Sequence, residues 1–178
     1  MTARRRYRAL PGVVIASLLC ACSASIPELR APEAGDTVCH QAGGEDAHWF
    51  GSPLRNVTER PITLTGARLG DANGATLLET VAIPEITQPN GDHLLLGTAG
   101  DLEKDEPELW AVHQKVAGFK IQPGQNAAVG FRITRSNGQD TADVTTQTIT
   151  YRADGAPTEH TVTSRLRLII TADCDTVE

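Results

Sequence analysis

Four cysteines, five histidines and one dense run of carboxylates are the side chains of this chain whose chemistry reaches beyond packing. Thiolates and imidazoles ligate metals or act as nucleophiles, and paired thiols form disulfides. Cys20 and Cys22 sit near the start, whereas Cys39 and Cys174 sit near the two ends of the remaining chain. His40 and His48 follow Cys39 at a spacing that matches no standard zinc pattern, and His93, His113 and His160 are scattered. Met1 is the only methionine, which speaks against a thioether copper site. We therefore expect no metal and no cofactor, with His40 and His48 solvated at the domain entrance. The carboxylates cluster between Asp101 and Glu108 (DLEKDEPE), five acids in eight residues. Calcium favours such clusters, but the alternating ligands and central glycine of a calcium loop are missing. The cluster reads as a solvated loop. If it binds anything, Asp101, Glu103, Asp105 and Glu106, followed by Trp110, are the candidates, and their charge favours a cationic partner. Trp49 and Trp110 are the largest apolar groups and are expected in the core.

Catalytic signatures are absent: there is no G-x-S-x-G, S-x-x-K, H-E-x-x-H, P-loop or G-x-G-x-x-G. The expectation is a protein that is not an enzyme.

At the N-terminus, Arg4, Arg5, Arg6 and Arg8 precede the apolar stretch Val13–Leu19. This is the pattern of a secretory signal, too short for a permanent span. Leu19-Cys20-Ala21-Cys22 then resembles the lipobox of bacterial lipoproteins, with Leu three residues before the modified Cys and a small residue directly before it. Cys22 is the position that matches; Cys20 follows the bulky Leu19 and does not. Cys20 occupies a lipobox position where Ala or Ser is more usual, and cleavage after Ala24 is the alternative. The resemblance implies a signal peptide over residues 1–21 and a diacylglyceryl (palmitate-type) modification on Cys22. The protein would then sit on the extracytoplasmic face of the cell membrane, because two acyl chains anchor stably where one does not. Arg4-Arg5-Arg6-Tyr7 also resembles a twin-arginine signal, so the export route stays open.

Cys39 and Cys174 remain after processing, and in an exported protein a leftover pair is expected to form a disulfide. It would close a loop of about 136 residues, for which chain entropy predicts roughly 4–5 kcal/mol. Residues 22–36 hold the lipidated Cys and Ser23–Asp36, a stretch with two prolines and no apolar period. They read as a flexible tether, about 45 Å at full reach. Loss of the signal removes four arginines and no acid, so 16 basic residues become 12 against 22 acids and the charge moves from −6 to −10. An acidic domain is repelled by anionic lipid and by nucleic acid, so neither is expected as a partner of the domain.

Residues 37–178 must supply whatever positions these groups. Only seven residues are aromatic and threonine is abundant, which favours strands. From His160 to Ala172 apolar and polar residues alternate over 13 positions, predicting one long half-buried strand with Cys174 continuing its buried face. Ile149 and Tyr151 alternate ahead of an Asp154-Gly155 turn, and Val129, Phe131 and Ile133 ahead of Asn137-Gly138. Ile62 and Leu64 alternate until the phase slips at Gly66, where a bulge is expected. Asp71-Ala72-Asn73-Gly74 is a further turn. A short helix fits only Glu108–Lys115. The prediction is an all-β, immunoglobulin-like antiparallel β-sandwich of about 6–8 strands. Glu85–Pro107 is the longest irregular stretch, expected to be the least ordered part and, if a partner exists, part of its contact surface, or else a tolerated insertion with no role.

The whole arrangement of lipobox, proline-bearing tether and threonine-rich sandwich resembles small lipoproteins of actinobacterial type. Arg60-Pro61-Ile62-Thr63-Leu64 and Ile149-Thr150-Tyr151-Arg152 fit that picture as structural motifs. No activity comes with the resemblance. The readings that stay open are an interaction module at the cell surface, presenting the loops of a rigid sandwich to a protein, glycan or small ligand, a sensor or regulatory partner of a membrane protein, and an enzyme of unrecognised type.

Overall fold

The computed structural model describes residues 28–33, 35–41 and 47–177; the signal and Cys22 lie outside them. In chain order the strands begin with β1 Leu29–Arg30, β2 Thr37–Gln41, β3 His48–Asn56, β4 Ile62–Leu69, β5 Ala72–Asn73 and β6 Ala75–Pro84. Short pieces follow: β7 Ile86–Thr87, β8 His93–Leu94, β9 Thr98–Ala99, helices α1 Leu102–Asp105 and α2 Pro107–Val112, then β10 Gln114–Lys115 and β11 Lys120–Ile121. The chain ends through β12 Asn126–Arg135, β13 Ala142–Val144, β14 Gln147–Ala153, β15 His160–Ser164, β16 Arg167–Thr171 and a 3-10 turn, Cys174–Thr176. Eight of these strands have five residues or more, in line with the expected sandwich.

One sheet runs β1-β3-β12-β6-β10, with β9 also on β3; a second runs β11-β4-β14-β15; a third runs β2-β16-β13-β5. Their inner faces share one core, in which Phe50, Phe131 and Val129 of the first sheet meet Leu64, Ile149 and Tyr151 of the second and Val144, Leu168 and Ile170 of the third. The architecture is all-β and sandwich-like. All pairings are antiparallel except β2 with β16. That parallel pair brings Cys39 beside the chain end, and Cys39 and Cys174 form a disulfide with Cα atoms 5.9 Å apart. Cys174 itself lies in the 3-10 turn, half-buried, rather than on a strand face.

Local expectations hold where they rest on turn chemistry. Gly74, Gly138 and Gly155 all take positive φ. The phase slip in β4 is a bulge: Thr150 pairs with Gly66 and Tyr151 with Leu64, leaving Thr65 as the extra residue.

Three expectations are corrected. The tether does not run free to Asp36: Leu29 pairs with Asn56 and is fully buried, and the Pro32 and Asp36 carbonyls accept from Arg165 N and Arg167 N. An isolated Leu between prolines carries no period, so its burial left no sequence signal. The long C-terminal strand is two strands in different sheets. Arg165 and Leu166 form the crossing, stabilised by Gln147 Nε2 donating to the Leu166 carbonyl at 2.7 Å. Alternation continued through the break because both sheets face the same core. Finally, the segment after β6 is not an irregular loop. Leu96, Leu102 and Leu109 pack with Trp49, Val81, Ile83 and Ala128 on the outer face of the first sheet, making a second core. The helix expected over Glu108–Lys115 is α2, which stops at Val112 before β10.

A candidate binding cleft at one end of the first sheet

Strand register builds the floor. Arg132 of β12 lies opposite Trp49 of β3 on one side and Glu79 of β6 on the other, so the three share the outer face in one row. The next row along is Gly51, Gly130 and Val81, and there the cover formed by residues 94–109 begins. Where the cover stops, an open cleft of about 670 Å³ remains, walled by α1, Trp110 and the start of β3, with His40 at its margin. That volume falls in the range of ligand sites.

The acid cluster lines this cleft from a short helix rather than a loop, and Asp101, Glu103 and Asp105 stay exposed to solvent as expected. Asp101 Oδ1 accepts from Lys104 N at 3.3 Å and Asp105 Oδ2 accepts from Asp101 N at 2.8 Å, a reciprocal cap that folds the first helical turn. Leu102 is fully buried beneath it. The cap places Asp101, Glu103, Lys104 and Asp105 on the cleft, whereas Glu106 sits at the junction of α1 and α2 and does not line it. Trp110 lines the cleft and packs partly on the second core, its ring stacked on His113 at 3.9 Å.

His48 is not a solvated side chain, and His40 is half-buried against it. Their rings stack with centroids 3.4 Å apart, and His48, 5% exposed, also meets the Phe50 ring edge-on at 5.0 Å. Burial lowers the His48 pKa to about 4, helped by the like charge of His40 and opposed by Asp105. Its Nδ1 is buried without a hydrogen-bond partner. Gly100 is the gap between the two groups: a Cβ there would lie 3.3 Å from Asp105 Oδ2 and 4.0 Å from His48 Nδ1. At neutral pH the imidazole is uncharged, and four carboxylates (Glu79, Asp101, Glu103, Asp105) stand against Lys104 and Arg132. This arrangement suits a polar ligand carrying a cationic group. Among the described residues no three His, Cys, Asp or Glu side chains are grouped to hold a metal ion.

Sequence reading found Asp101, Glu103, Asp105 and Trp110, and the fold brings them together. It missed Glu79 and Arg132, because only β-strand register sets them beside Trp49. One signal for the cover was present: Val81-Ala82-Ile83 and Ala127-Ala128-Val129 are unbroken apolar runs, the mark of strands buried on both faces.

No protein-family model matches the chain, and no curated protein is similar to it at a significant level. Solved structures similar over part of their length include the Vibrio cholerae VesB protease, at 8% identity and a TM-score of 0.39, covering 79% of this chain and 31% of that one. A family 123 glycoside hydrolase from Clostridium perfringens gives 10% and 0.37, with 76% and 23% covered. A point mutant of the CFA/I enterotoxigenic E. coli adhesin CfaE gives 9% and 0.37, with 82% and 48% covered. The chain thus spans less than half the length of each, and likenesses at this level carry no assignment of function.

Proposed function

We propose that this chain is an extracytoplasmic binding module, lipid-anchored to the membrane through Cys22. The observation that carries the binding role is the cleft at the end of the first sheet, where a capped helical turn, Trp110 and the Trp49–Arg132–Glu79 row converge around an uncharged, buried imidazole. Its lining offers ion pairing through Glu79, Asp101, Glu103 and Asp105 and aromatic contact through Trp49 and Trp110. Support for the anchor comes from the lipobox resemblance at Leu19-Cys20-Ala21-Cys22. The partner is a protein, glycan or small ligand with a cationic group.

The anchor is tested by metabolic labelling with an alkyne fatty acid. Wild type and Cys20→Ala should label, and Cys22→Ala should not. Equal labelling of wild type and Cys22→Ala overturns the assignment. The cleft is tested by recovering partners from detergent-solubilised membranes with wild type and with Arg132→Glu, an exposed change that leaves both cores intact. Unchanged recovery removes the cleft from the binding surface.

A further inference from the structure

Arg30 and Arg55 are directly opposite one another across the β1–β3 pair, and both are exposed. Like charges at opposed positions of an antiparallel pair repel and destabilise the ladder. Neither guanidinium makes an ion pair or side-chain hydrogen bond among the described residues. Two carboxylates close by are committed elsewhere, and Glu33, which shares a neighbouring depression with Arg30, makes no ion pair with it. Glu85 accepts from Asn126 Nδ2 at 3.0 Å and pairs with His93 at 3.2 Å, while Glu28 pairs with Arg60 at 3.3 Å. The two arginines border a depression of about 400 Å³ with Thr58, Gly124 and the exposed Val57. Asn56 fixes the turn beneath it, donating to the Arg60 and Ile121 carbonyls and accepting from Thr58 N and Oγ1.

This end of the sandwich is also where the chain enters the sheet. Leu29 follows Cys22 by seven positions, a reach of at most about 25 Å. We propose that Arg30 and Arg55, with Val57 beside them, form a contact for the anionic phosphate headgroups of the bilayer, holding the sandwich end-on to the membrane. The inference rests on the lipid-anchored reading. The headgroup supplies the counter-charge that the fold withholds at this end, a local attraction that acts against the net repulsion of an acidic domain, and an arginine pair binds phosphate oxygens well. It also orients the cleft. His48 and Asn56 are the two ends of β3, about 26 Å apart at strand rise, so the cleft faces away from the bilayer.

The test places the full-length lipidated protein in vesicles of phosphatidylcholine with and without phosphatidylglycerol and follows amide hydrogen exchange. Exchange at residues 55–60 and 122–125 should slow only with phosphatidylglycerol, with residues 100–106 unchanged. Arg30→Gln or Arg55→Gln should each lower the contact equilibrium about fivefold, and the double variant should abolish the slowing. Each single variant should also raise the melting temperature away from membranes, because repulsion is relieved. Equal exchange in both vesicles, or a double variant like wild type, overturns the proposal. Protection by inorganic phosphate alone to the same degree would make this a free-phosphate site and overturn it too. Failure of the protein to float with any vesicle instead overturns the lipid-anchored reading on which it rests.

Discussion

Gly51 of β3 lies directly opposite Gly130 of β12, and Leu96 is seated over the pair. A Cβ at Gly51 would stand 2.0 Å from the Leu96 carbonyl oxygen, and one at Gly130 3.0 Å from Leu96 Cδ2. The two glycines form the floor on which the cover of the first sheet rests, with Gly51 N donating to the Gly97 carbonyl at 2.7 Å. Gly51→Ala should therefore lift the cover and destabilise the domain by about 3 kcal/mol, the upper end for overpacking. Gly97→Ala is the control, since nothing lies within 4 Å of its Cβ position. Urea unfolding of the two variants checks this; equal midpoints would show that residues 94–99 adjust freely.

Leu29 should behave as a core residue. It is fully buried in the main core beside Asn56. Leu29→Ala should cost about 3 kcal/mol, as large-to-small core changes do. The same change at the exposed Leu78 should cost little. Denaturant midpoints compare the two, and an unaffected Leu29→Ala would restore the picture of a free tether.

Reduction of the disulfide should lower stability by roughly 4–5 kcal/mol, given the sequence separation of 135 between Cys39 and Cys174. Because the bridge ties β2 to the 3-10 turn, the loss should be accompanied by faster amide exchange in the parallel β2–β16 pair. Melting with and without reductant measures the first effect, and exchange in the Cys39→Ser/Cys174→Ser variant the second.

Acid should weaken the domain through His48. Its folded pKa of about 4 lies below the ordinary 6.5, so the folded state binds fewer protons than the unfolded chain between those values. The contribution is complete above pH 6.5 and is lost as pH falls towards 4, by up to about 3 kcal/mol. The charged groups lining the same cleft are His40, Glu79, Asp101, Glu103, Lys104, Asp105 and Arg132. Their titration is shared by a His48→Phe variant, which keeps a ring against Phe50. Unfolding midpoints at pH 7 and pH 4.5 should converge for the variant and diverge for wild type. Parallel behaviour of the two proteins would remove His48 as the source.

Some of this molecule was settled by local chemistry alone. Period-two runs such as Val129, Phe131 and Ile133, the Asn137-Gly138 and Asp154-Gly155 turns and the phase slip answered by Thr65 follow from residues read in order, whereas the pairing of Cys39 with Cys174 is reached by elimination, as the two cysteines left over. Alternation and turn geometry are properties of neighbours in the chain, so they survive without knowledge of the fold. What only the tertiary structure decided is which surfaces meet. The outer face of the first sheet is covered because Gly51 and Gly130, 79 positions apart in sequence, stand opposite each other and admit Leu96. His48 loses water because His40 and Phe50 close over it, and Arg132 joins Glu79 and Trp49 only through strand register. Burial and register are sums over distant partners, and no window along the sequence contains them.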